Sequence, residues 1–162
     1  MRKLQKGFSL IELLIVVAII LIIAAIAIPN LLRSRMAANE SSAVGSLRTI
    51  NTAEVTYSTT YPTQGFASLA GLGGAAATCA TATGATSTAA CLIDDVLAST
   101  AVKSGYAFTA AAGSGTPAVT YFSTALPSVV GQSGQRAFCS DQSGVIRYNA
   151  GGTACANTDN AL

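Results

Sequence analysis

Hydrophobic and polar positions obey two different rules along the first 60 residues of this chain. From Phe8 to Ile28 almost every residue is Ile, Leu, Val or Ala, and Glu12 is the only charge. Those 21 residues have no polar face, and roughly 20 suffice to cross a bilayer core as a helix. A membrane-crossing helix is therefore predicted over 8–28. From residue 30 onward the pattern becomes one-sided. Ala43, Leu47, Ile50, Glu54 and Tyr57 recur at spacings of four and three, which places them on one helical face. Val44, Ala53 and Tyr61 widen that stripe, while Arg33, Arg35, Glu40 and Arg48 are read as polar positions. Pro62 disfavours helical geometry in the residue before it, so the helix should stop near Tyr61. Pro29 removes a ladder donor and is expected to kink or locally melt the helix.

Beyond Pro62 the pattern weakens. Residues 62–103 are rich in Ala, Thr and Gly and read as a loop region, with Leu92-Ile93-Asp94-Asp95-Val96-Leu97 as a short anchoring helix or turn. Residues 104–150 read as antiparallel strands at Tyr106–Thr109, Val119–Ser123, Arg136–Ser140 and Val145–Tyr148. Asp141-Gln-Ser-Gly144 between the last two is a hairpin signal. Residues 151–162 are left as a C-terminal tail. Four antiparallel strands against the amphipathic half-helix make a two-layer α+β core.

Charge orients the first segment. Arg2, Lys3 and Lys6 precede the apolar run, and basic flanks stay on the cytoplasmic side. The rest of the chain is then exterior. Ala25-Ile26-Ala27 could be read as a conventional secretory cleavage site. The length of the apolar run and the glutamate near its start oppose that reading. A carboxylate in hydrocarbon costs about 2.5–3.5 kcal/mol on insertion scales. Glu12 therefore either stays wet at the interface or awaits a positive partner. Cleavage between Gly7 and Phe8 would create one, an α-amino group a helical turn from Glu12.

Lys6-Gly7-Phe8-Ser9-Leu10-Ile11-Glu12-Leu13-Leu14, followed by the apolar run and Pro29, resembles the class III signal of type IV prepilins and related pseudopilins. The resemblance implies removal of residues 1–7 by a prepilin peptidase cutting after Gly7, and methylation of the new N-terminus at Phe8. It implies that Glu12 pairs with the Phe8 amine of an adjacent subunit and sets its register in a helical filament. It also implies the pilin architecture, a long N-terminal helix packed on a four-stranded antiparallel sheet. Implied partners are other copies of this chain or other pilins, the inner-membrane pilus assembly machinery, and membrane lipid before assembly. The location would be the inner membrane as a single-pass precursor, then a cell-surface pilus. The competing member of the same group is a pseudopilin of a type II secretion system, forming a periplasmic pseudopilus.

The formal net charge is +2, but residues 1–7 hold three of the nine basic groups. Without them six basic side chains face seven acidic ones. No basic stripe marks a direct nucleic-acid site. Cys79, Cys91, Cys139 and Cys155 all lie on the exterior side, where disulfides persist. Four cysteines permit three pairings. The sequential pairing, Cys79–Cys91 and Cys139–Cys155, closes the shortest segments and is favoured, with the others open. The region around Arg136–Arg147 resembles the last hairpin of bacterial major pilins, and a cysteine-closed C-terminal loop favours a pilin over a pseudopilin. The chain has no histidine and no Cys-x-x-Cys, so neither a metal nor a cofactor is expected. The Asp94–Asp95 pair lacks calcium-loop spacing. Without histidine, a Gly-x-Ser-x-Gly elbow or a phosphate-cradling loop, an enzyme is not expected.

Overall fold

In a computed structural model the described residues are 8–75, 79–80 and 84–162. They divide into two units, one ending at Arg35 and the other running from Met36 to Leu162. The first helix, α1, spans Leu10–Thr60. Pro29 lies inside it, and the backbone keeps helical geometry at that position.

Within the first unit no described residue is buried. Its large apolar side chains stand open, from Leu32 at 42% to Leu10 at 75% exposure. Soluble folds do not leave such a run uncovered. Lipid or other helices are the surroundings that match its chemistry.

The second unit has a conventional core. Ala43, Leu47, Ile50, Ala53 and Tyr57 of α1 are buried against a six-stranded antiparallel sheet and the loops before it. The strands are β1 (Val102–Lys103), β2 (Tyr106–Ala112), β3 (Tyr121–Pro127), β4 (Ala137–Asp141), β5 (Arg147–Asn149) and β6 (Asn160–Ala161). Each pairs with the next in sequence, so the sheet is a simple meander. The register sets Phe108 opposite Ala125, Ala125 opposite Phe138, and Phe138 opposite Tyr148. In this row the small Ala125 lies between the Phe108 and Phe138 rings, leaving room for them to pack.

The expectation of four strands is corrected to six. The two additional strands have two residues each and carry no readable period, and they fall where a loop and a tail were expected. Both sit at sheet edges, and short edges offer little template for stray pairing. β2 extends through Ala110–Ala112 because the ladder to β3 continues there, although alanine has little β-propensity of its own. The helix stop lies where Pro62 places it, and Gly65 secures the turn. Its φ is +81°, and a Cβ there would collide with the Ala118 backbone.

Between α1 and β1 lie a four-residue helix, α2 (Leu69–Leu72), and one π-helical turn, Val96–Thr100. Leu72, Ile93 and Leu97 anchor this region in the core. Asp94 caps the turn by accepting the Leu97 N–H at 2.8 Å and pairs with Lys103 at 2.7 Å. The sulfurs bond Cys79 to Cys91 and Cys139 to Cys155. The second bridge ties residues 151–162 to β4. The Asp159 carboxylate, accepting the Ala156 N–H at 2.9 Å, helps shape that tail.

Candidate functional site

The predicted site residues cluster at the start of α1. Gly7 lies outside the described residues. Phe8 and Ser9 precede the helix, and Ser9 acts as its N-cap: its Oγ accepts the Ile11 N–H at 3.3 Å. Glu12 reaches back, its Oε2 accepting the Ser9 N–H at 2.9 Å. This reciprocal arrangement is a capping box, and it satisfies two donors that would otherwise be orphaned at a helix start. The Ser-x-x-Glu spacing carries that signal in the sequence. The expectation above assigned Glu12 to assembly and overlooked Ser9.

The cap determines where the Glu12 charge sits. It holds the carboxylate at the positive end of the helix dipole, one turn from Phe8. Around it Leu10, Ile11, Leu13 and Leu14 are all more than half exposed. The site is thus an exposed apolar helix carrying one oriented carboxylate near its start. Such a surface can bind apolar helices and a cation, and among the described residues around Glu12 no second titratable side chain stands beside it.

In the second unit, two buried glutamates differ sharply. Glu40, expected on the polar side, is instead a buried residue, and this corrects that reading. Its Oε1 accepts the backbone N–H groups of Gln135 and Arg136 at 2.9 and 3.1 Å. Its Oε2 takes the Arg136 Nε at 2.9 Å and pairs with Nη2 at 2.8 Å. Burial alone would raise its pKa. The two backbone donors and the Arg136 guanidinium outweigh burial and hold it below the ordinary carboxylate value. The signal was present: Glu40 stands three residues before Ala43, in phase with the apolar stripe. Arg136, the partner on the approach to β4, is nearly a hundred positions away and could not be found by local spacing.

Glu54 was placed on the stripe, and it is fully buried. Its Oε2 accepts the Ala67 N–H at 2.9 Å, whereas Oε1 has no hydrogen-bond partner among the described residues. Burial pushes this carboxyl up to about 7, against the opposing pull of the Ala67 N–H.

No group of three or more metal-ligating side chains occurs among the described residues. An open cleft of about 570 Å³ lies between Ala112, Thr120, Asp141 and Asn157. Asp141 there is already engaged by Ser143, whose N–H and Oγ hydrogen-bond its Oδ1.

Comparison with known proteins agrees with the first segment. Residues 2–28 match the family described as the prokaryotic N-terminal methylation motif. The chain is 67% identical over 36 residues to the type IV wide pilus major component PilA4 of Thermus thermophilus, covering 22% of this chain and 28% of that one. It is 48% identical over 53 residues to the type IV major pilin protein PilA of Myxococcus xanthus, covering 33% and 24%. It is 54% identical over 52 residues to the type IV major fimbrial protein FimA of Dichelobacter nodosus, covering 30% and 33%. These matches span about a quarter to a third of the relatives' length. No solved structure matches the chain. The N-terminal segment carries the methylation motif and is similar to those of type IV major pilins.

Proposed function

We propose that this chain is a type IV pilin, a structural subunit that polymerises into a helical extracellular pilus serving adhesion, twitching motility or DNA uptake. The observation that carries the proposal is an oriented Glu12 carboxylate on an otherwise bare apolar helix, within the segment that matches the methylation motif. In this reading residues 1–7 are a leader removed by a prepilin peptidase between Gly7 and Phe8, and Phe8 is then N-methylated. Residues 8–28 wait in the inner membrane as a single pass with the N-terminus cytoplasmic. Residues 29–61 form the amphipathic half of the helix, and 62–162 the exterior domain.

Assembly by the inner-membrane machinery then exchanges lipid for neighbouring helices of the same kind, with Pro29 as the point where the helix bends. Apolar packing alone does not distinguish one helical register from the next, because lipid and side chains are similarly apolar. The Glu12 charge does. In a low-dielectric filament core it is satisfied only where the Phe8 amine of an adjacent subunit meets it. Truncating one member of such a buried pair costs about 3–5 kcal/mol, so a misplaced copy is rejected. The relatives named above are pilus and fimbrial proteins, which favours a surface fibre over a pseudopilus.

The test is made on sheared surface material. Fibres containing this chain should be visible, and the first residue of the mature polypeptide should be a methylated Phe8. Replacing Gly7 with a bulky residue should leave full-length precursor in the membrane. Normal trimming of that variant would refute the cleavage assignment.

A further inference from the structure

The segment that leaves α1, Tyr61 to Ser68, comes back to the helix it has just left, where the Ala67 N–H meets Glu54. Three bonds tie its middle to elements outside it: Phe66 N–H to the Ala118 carbonyl at 3.0 Å, Ala118 N–H to the Gln64 carbonyl at 2.8 Å, and Ala67 N–H to Glu54 Oε2. The Gln64 and Gly65 N–H groups turn back on the Tyr61 carbonyl, Ser68 caps α2, and the Phe66 ring lies 4.8 Å from that of Tyr121. Beneath it Glu54 has no exposed surface. The titratable groups whose charge reaches Glu54 are phenols, Tyr57 on α1 and Tyr121 on β3. Both phenols are themselves pushed up by burial and are neutral at ordinary pH. Tyr57 donates to the Ser87 carbonyl at 2.5 Å and Tyr121 to Asn51 Oδ1 at 3.1 Å. The two ion pairs of the described residues, Lys103–Asp94 and Arg136–Glu40, do not involve Glu54. A carboxylate placed there would be a buried charge with one donor and no cation.

We propose that Glu54 is a proton-controlled latch: its neutral carboxyl keeps the Tyr61–Ser68 strap closed over α1, and its ionisation opens the strap. The reason lies in Oε1. Neutral, the group can be buried with one bond at modest cost. Ionised, it requires water at Oε1. The covering segment that can lift most easily is the strap, because α1 and β2–β4 are held by regular hydrogen-bond ladders. Opening moves the chain just ahead of α2 and leaves the core row Phe108–Ala125–Phe138 in place. The inference is independent of filament assembly.

The experiment uses the full chain in detergent micelles with both disulfides formed. The chain has three glutamates, Glu12, Glu40 and Glu54, so labelling their side-chain carboxyl carbons gives three signals, and Glu54→Gln removes the one to follow. Glu54 should titrate well above Glu40. Amide-exchange protection at Ala67, referenced to intrinsic rates, should fall at least about tenfold from about pH 5 to about pH 8. Protection at Phe138 should not change, and Glu54→Gln should abolish the fall at Ala67. An ordinary carboxylate midpoint for Glu54, unchanged Ala67 protection, or the same fall in Glu54→Gln would each overturn the latch. If that variant does not fold, the wild-type titration and the Ala67 amide decide the question.

Discussion

The Glu12 carboxylate accepts the Ser9 N–H in the single chain and, in the filament, would also answer the amine of a neighbouring Phe8. Two substitutions separate these tasks. Glutamine at position 12 can still close a capping box, because the box needs an acceptor and not a charge; alanine removes both. Glu12→Ala and Glu12→Gln should each be trimmed normally and each assemble far fewer fibres, measured by quantifying sheared pili. Wild-type fibre yield from Glu12→Gln would transfer the role from charge to cap. Glu40 illustrates the opposite balance. It accepts two backbone N–H groups and both Nε and Nη2 of a guanidinium, so its removal leaves four donors unanswered. With Arg136 40% exposed at its side chain, solvent recovers part of that loss. Glu40→Ala should therefore destabilise the unit running from Met36 to Leu162 by about 2 kcal/mol in urea unfolding. A change within about 0.5 kcal/mol, typical of neutral surface sites, would contradict the geometry.

Among the elements, the sheet depends on its last strands being held from outside. β4 is buried along both faces, Phe138 against the core and Cys139 beneath the tail. Strand β6 has two residues and could not persist alone, but the Cys139–Cys155 bridge shortens the chain that must be ordered to place it. A loop of this size contributes about 3 kcal/mol in the chain-entropy view. Replacing both Cys139 and Cys155 with serine should lower unfolding stability by about that amount and expose residues 151–162 to protease. Resistance of the tail in that variant would show that the Asp159 contacts suffice. The strands were legible from the aromatic residues Tyr106, Tyr121, Phe138 and Tyr148, the first two of which open β2 and β3. The far end of β2 was not, because Ala110–Ala112 join it only through the partner ladder.

For the molecule as a whole, the two buried glutamates impose opposite pH trends. The folded pKa of Glu40 is depressed, so its contribution is present above the unfolded value and is lost as pH falls through the folded one. Glu54 is raised from 4.5 to about 7, so its contribution is complete below 4.5 and disappears as pH climbs through 7. The difference corresponds to about 3 kcal/mol. Unfolding stability of the full chain should consequently peak on the mildly acidic side, near about pH 5, and decline toward about pH 8. A level profile across that interval would remove Glu54 from the account.

The methylation motif was readable from sequence alone because it is local. The Glu12 charge, the apolar length and the Ser-x-x-Glu spacing all fall within Lys6–Ile28, where each residue's meaning depends on neighbours a few positions away. The same holds for the buried stripe of α1, whose period extends to Glu40 for a reader who follows it one step back. What tertiary structure alone decided is how buried charge is answered. Arg136 reaches Glu40 and Ala67 reaches Glu54 because the meander and the strap fold those positions onto one helix face. A carboxylate's ionisation depends on the donors around it in space, and periodicity along the chain specifies which face is buried without specifying what will be found there.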